Sequence, residues 1–340
     1  MGVPDCRHNC RHNCRHECRY YHRHHRAWSG GLLAGLLVLI LAGCGGVSPL
    51  QRFGDAELAE WERDTRQWRR DREERLTAPY GWLSLVGLEP LPEGRHRVGA
   101  GADNDIILPV GPSHWGVLVN DNGSVVFITA PGVNVTVDGR LTEQAALQLT
   151  GPDGPTPVQS GTLRFHLVER MGGLAIRLRD SEAESRRDFA GLRYFPIQPG
   201  WRIEGRFEAH QPPQTIPVAN VLGELIDQAN PGAAVFTMHG REFRLEAIGE
   251  PDADQLFFIF ADRTSGRETY GLGRFLYADW PVDGTIVLDF NRAYNPPCAF
   301  NAHTTCPLPP PENRLDLPVT AGERTYRGTP GIDPDELGGL

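Results

Sequence analysis

The chain contains no lysine; all 34 of its basic side chains are arginine. That excludes lysine Schiff bases, Ser–Lys dyads and the phosphate-gripping lysine of nucleotide-binding P-loops. Other catalytic signatures are missing too. There is no Gly-x-Ser-x-Gly elbow, no His-Glu-x-x-His and no calcium loop. Gly271-Leu272-Gly273 lacks the spacing and the following helix of a dinucleotide loop. No cofactor is therefore expected. Long apolar runs are absent as well: Leu32–Leu41 falls far short of the ~20 residues that span a bilayer. Cysteine is scarce in the body of the chain. Four of seven (Cys6, Cys10, Cys14, Cys18) sit near the N-terminus, one is Cys44, and only Cys298 and Cys306 remain.

What is present begins with an address. The basic cluster Arg23-His24-His25-Arg26, the short apolar run and small residues before a cut site make a secretory signal peptide. Leu41-Ala42-Gly43-Cys44 resembles the bacterial lipobox, which implies lipidation of Cys44 and a mature chain starting there. The expected partner is then a lipid bilayer, reached through acylated Cys44. Gly45 is not the aspartate that often retains lipoproteins at the inner membrane. The expected location is the cell envelope, at the outer membrane facing the periplasm where the host has two membranes. Upstream, residues 6–18 repeat Cys-Arg-His-Asn at period four, a spacing that would stack metal ligands on one helix face. Cleavage would discard that tract, so no metal role is expected of it.

The leader's six arginines and two acids, taken from totals of 34 and 43, leave 28 against 41, a net charge of −13 after residue 43. Nucleic acid is excluded as a partner, because its phosphates demand a positive surface. In an oxidising compartment the even pair Cys298 and Cys306 reads as a disulfide framework.

The expected architecture is mainly β. After the leader (1–43) and a tether (44–53), a helix is expected over 54–79. Its stripe is Leu58, Trp61, Thr65, Trp68 and Leu76, with Arg and Glu elsewhere. Residues 80–180 read as short strands broken by Gly, Pro, Asn and Asp, with a hairpin at Asn122-Gly123, which argues for an antiparallel sandwich. A polar stretch at Ser181–Phe189 marks a boundary. A second β-rich domain, sandwich or barrel-like, follows over 181–326 with a hairpin through His239-Gly240-Arg241, and 327–340 reads as a disordered tail.

Arg97-Val98-Gly99-Ala100, Asn104-Asp105-Ile106-Ile107-Leu108 and Val133–Gly139 resemble a forkhead-associated domain, a β-sandwich whose loops read phosphothreonine. Members place arginine directly after the first glycine, where this chain has Ala100, and Ser113-His114-Trp115 only echoes the second motif. The resemblance implies the sandwich. Losing a bidentate arginine worth ~1.5–3 kcal/mol argues against phosphopeptide reading.

The polar chemistry concentrates in residues 262–314. Asp262, Glu268, Asp289 and Glu312 could converge as a carboxylate site for hydrolysis, or be neutralised by arginines such as Arg274 and Arg292. Tyr270 and Tyr294 beside Asn291 and Asn295 would suit a small polar or glycan ligand, with Asn313 nearby in the block. Cys298 and Cys306 could form a disulfide, join His303 on zinc, or leave Cys298 as a nucleophile with His303 as base. The strings Asn295-Pro296-Pro297-Cys298-Ala299 and Cys306-Pro307-Leu308-Pro309-Pro310-Pro311-Glu312-Asn313, with Gly81–Leu85 and Arg177–Asp180, resemble the family called domain of unknown function 1684 over roughly Trp61–Glu323. That resemblance implies a β-rich fold and brings no activity. Two readings stand: a non-catalytic binding or scaffolding protein using Asp289–Cys306 as its surface, or a hydrolase using the carboxylates or Cys298.

Overall fold

A computed structural model describes residues 54–328, apart from 153 and 171, together with 331–332. Cys44, the leader and the tether lie outside these residues. Among the described residues no helix is long and apolar enough to cross a membrane. The fold is mainly β, entered through helix α1 (Asp55–Thr77). Glu57 closes the first turn of α1 by accepting from the Gly54 N–H at 2.9 Å, and Asp55 and Glu57 suit its dipole. Its buried positions are Trp61, Thr65, Arg72 and Leu76. The stripe runs as expected except at Arg72, which occupies a seam position where the periodic reading expected no charge.

Residues 85–180 form two sheets. One has six strands in the order 85–90, 173–180, 163–170, 158–160, 136–137 and 140–141. The other has five, in the order 106–107, 94–99, 116–121, 124–129 and 144–147. Only 94–99 with 106–107 is parallel; the other pairs in these sheets are antiparallel. The core between them gathers Val98, Trp115, Leu118, Phe127, Phe165 and Leu178. Trp115 and Phe127 both meet Phe165 edge-on, at 5.0 and 5.7 Å. Alternation sets this core: 116–121 buries every second residue. The Asn122-Gly123 turn has φ of 48° and 87°, the left-handed pair that a tight hairpin needs.

Beyond a single helical turn at Glu184–Arg187, a four-stranded antiparallel sheet runs 241–246, 225–238, 202–219 and 285–289. His239 and Gly240, at φ 51° and 73°, make its tight turn. A separate ribbon pairs 256–260 with 274–278. Ribbon and sheet share a core of Phe236, Phe258, Phe260, Leu276, Leu288 and Phe290. Strand 274–278 carries no alternation, because all but Tyr277 are buried. A third cluster joins Leu76 of α1 and Leu83 to Ile216, Tyr270, Tyr294, Cys298 and Phe300. The described part of the expected disordered tail is held: Ile332 N–H donates to the Cys298 carbonyl at 2.8 Å.

Candidate functional site

The polar block folds inward, and its geometry is that of a hydrogen-bonded spine. Asp262 follows the buried strand 256–260, so its carboxylate needs partners. It has four. Oδ1 accepts from the Thr264 N–H at 2.8 Å, its hydroxyl at 2.7 Å and the Val319 N–H at 3.1 Å, while Oδ2 accepts from Arg274 at 2.8 Å. Neither side chain of the Asp262–Arg274 pair is exposed. Arg274 also donates to the carbonyls of Val319, Ala321 and Glu323. Burial pushes its pKa down, and the adjacent Asp262 charge opposes that shift.

A second buried pair docks the helix. Arg72 donates through Nε to Glu323 at 3.1 Å and through Nη2 to the Asn295 carbonyl at 2.9 Å. Its guanidinium lies 4.6 Å from the Tyr294 ring centre. Glu323 also accepts from the Asn295 N–H at 2.8 Å and the Tyr194 hydroxyl at 3.3 Å. Burial, and then the Glu323 charge, push the Tyr194 hydroxyl well above the ordinary tyrosine range. Sequence reasoning reached neither Arg72 nor Glu323. The signal for Arg72 was its place four residues after Trp68 and four before Leu76. Nothing local singled out Glu323.

The other predicted residues serve the same spine. Asp289 accepts from Trp61 Nε1 at 2.8 Å and caps the turn at Asn291, with Arg292 3.6 Å away. Asn291 brackets the backbone of Gln198, accepting from its N–H at 2.9 Å and donating to its carbonyl at 3.0 Å. Asn295 donates to the Arg324 carbonyl at 2.8 Å. Asn313 accepts from the Glu246 N–H at 2.7 Å and donates to the carbonyls of Glu246 and Ile259. Tyr270 donates to the Ile332 carbonyl at 3.0 Å. Asn313→Leu would leave those three backbone groups buried and unsatisfied, each worth ~1–3 kcal/mol. Its urea midpoint should fall accordingly at unchanged slope.

The four carboxylates do not come together. Asp262 faces Arg274, Asp289 faces Trp61 and Arg292, Glu268 is exposed 3.8 Å from Arg324, and Glu312 is exposed. Among the described residues no three His, Cys, Asp or Glu side chains are grouped to hold a metal. The convergent site expected of them is corrected: Asp262, Asp289 and Glu268 are each drawn to a different N–H donor, and that pairing separates them. Cys298 and Cys306 form a disulfide with Cα atoms 6.1 Å apart, so neither thiol is free for zinc or for attack. Tyr270, Tyr294, Asn291 and Asn295 are buried, which withdraws them from a ligand surface.

Two features lie away from the spine. On the four-stranded sheet, His210 meets Glu246 at 2.9 Å, and Arg244 and Asn230 complete the set. Burial pushes the Glu246 carboxyl up, but hydrogen bonds from His210, Arg244 and Asn230 outweigh it and hold it below the usual range. A hollow of about 740 Å³ at one end of the sandwich is lined by residues 137–156, none from the polar block.

Residues 187–324, which contain the spine's strands and turns, match the family described as Protein of unknown function (DUF1684). Through this stretch the chain belongs to that family. The matched segment excludes α1 and the sandwich, so it is narrower than the expected Trp61–Glu323. An uncharacterized protein of Haloarcula marismortui, solved by solution NMR, is 34% identical over 41% of this chain and 79% of that one, with a TM-score of 0.36. No curated protein matches the chain.

Proposed function

We propose that this chain is a lipid-anchored, non-catalytic binding or scaffolding protein of a bacterial cell envelope. One observation carries the non-catalytic half. The buried acids and the thiols that a hydrolase would need are all committed, Asp262 to Arg274, Glu323 to Arg72, Asp289 to Trp61, and Cys298 to Cys306. Catalytic groups are poised by incomplete satisfaction, whereas full pairing makes a rigid frame. The anchor rests on the signal-like leader and on Cys44 after Leu41-Ala42-Gly43. The sandwich resembles a forkhead-associated domain, but Ala100 in place of its arginine favours a framework role for those loops.

Mass spectrometry of the membrane-extracted protein tests both halves. A diacyl or triacyl Cys44 with Cys298 bonded to Cys306 is the expected result; an unacylated mature N-terminus elsewhere defeats the anchor. Asp289→Asn should lower thermal stability, and neither it nor the wild type should turn over ester, amide or glycoside substrates. Turnover by the wild type that a folded Asp289→Asn protein has lost would make the chain a hydrolase.

A further inference from the structure

Among the described residues, three arginines on the outer face of the six-stranded sheet, Arg164, Arg177 and Arg179, join no ion pair. Register places Arg164 opposite Arg179 and His166 opposite Arg177. Arg177 and Arg179, two apart on one strand, share that face, while Ile176 and Leu178 point into the sandwich core. Arg177 is only 3% exposed, yet its Nε has no hydrogen-bond partner, and among the described residues it joins no ion pair. Its guanidinium lies 5.7 Å from the Trp82 ring centre, and that of Arg179 lies 5.6 Å from the same ring.

The neighbouring guanidiniums are served only by neutral oxygens. Arg179 donates to the Tyr80 carbonyl at 2.6 Å and to that of Gly81. Arg164 covers the Tyr80 ring at 3.6 Å and donates to Gln159 Oε1 at 2.9 and 3.3 Å. The two other buried arginines among the described residues, Arg72 and Arg274, each hold a buried carboxylate. Arg177 is the exception, and an isolated buried cation is costly unless something pairs it. A planar fork of N–H donors, flanked by a second guanidinium and an indole, suits bidentate recognition of an oxyanion.

We propose that this face binds a phosphate group, free or carried on a lipid headgroup, with Arg177 as its principal ligand and Arg164 and Arg179 on either side. The site lies on the sandwich, outside the segment 187–324, and holds whether or not the chain is lipid-anchored. The ligand supplies the missing counter-charge to Arg177.

The test titrates the full chain with inorganic phosphate, and separately with water-soluble dioctanoyl phosphatidylglycerol, against sodium chloride at equal ionic strength. Melting temperature and tryptophan emission are read together. Phosphate should raise the melting temperature and change the emission. Arg177→Met should weaken binding about tenfold or more, as expected for a lost bidentate charge-assisted pair. Trp82→Phe should lose the optical change and keep the thermal one. A response to the short-chain lipid alone assigns the phosphate to a headgroup, and a response to inorganic phosphate assigns it to a free anion. Should Arg177→Met fail to fold, the partly exposed Arg164→Gln must still weaken binding. Phosphate acting no differently from chloride, or acting equally on wild type and variants, overturns the proposal.

Discussion

Asp262→Ala should cost this protein ~3–5 kcal/mol of folding stability, the usual effect of stripping one partner from a fully buried ion pair. The reason lies in what remains. Arg274 is wholly buried, and without Asp262 its hydrogen bonds go only to carbonyl oxygens. The N–H groups of Thr264 and Val319 would lose their acceptor at the same time. The double variant Asp262→Leu/Arg274→Met should recover most of the loss, because it removes both charges together. Urea unfolding of the two single variants and the double variant measures the coupling. If Asp262→Ala shifts the midpoint no more than a surface substitution does, the spine is not what holds ribbon 256–260/274–278 to the segment 317–323.

Arg177→Met should act in the opposite direction and stabilise the free protein, by about 1–4 kcal/mol. Burial pushes the Arg177 guanidinium down to about 9, and repulsion from Arg170 and Arg179 adds to the shift. The unfolded arginine keeps its proton to far higher pH. Below pH 9 both states carry the proton and the full cost of burying the charge is felt. From about pH 9 upward the folded chain sheds a proton that the unfolded chain still holds, so stability from this group rises with pH. The advantage of Arg177→Met over wild type should therefore be constant from neutral pH to about 9 and shrink above it. Chemical denaturation of both proteins across that window gives the difference directly. A destabilised variant, or a gap that widens with pH, would mean that Arg177 has a counter-charge. A site that lowers stability until its ligand arrives is an ordinary compromise between binding and folding.

Much of the fold was legible in local pattern. Trp61, Thr65, Trp68 and Leu76 recur at helical spacing because one face of α1 must be covered, and Asn122-Gly123 and His239-Gly240 mark hairpins because both turns need positive φ. Strands 116–121 and 163–170 announced themselves by alternating apolar residues against one core. The wholly apolar 256–260 was legible as a run bounded by polar residues, whereas the two-residue strand at 140–141 carries no period and its bounds came from pairing.

The polar block shows where local reading stops. Its residue types and positions were plain: Asp262, Arg274, Asp289, Asn291, Asn295 and Asn313 all sit where buried polar groups must be satisfied. Which partner satisfies each was not, because those partners lie far along the chain. Asp262 meets Val319 fifty-seven residues on, Arg72 meets Glu323 across 251, and Trp61 meets Asp289 across 228. Four acids that looked like one site were separated by that pairing. By itself the sequence determined the mainly β class, the helix at its start, the hairpin turns and the absence of lysine chemistry, since these depend on residue type and period. Only the tertiary structure decided that Arg72 goes inward to Glu323 while Arg177 stays buried beside Trp82 without an acid, because a charge's partner is set by which strands and turns close around it.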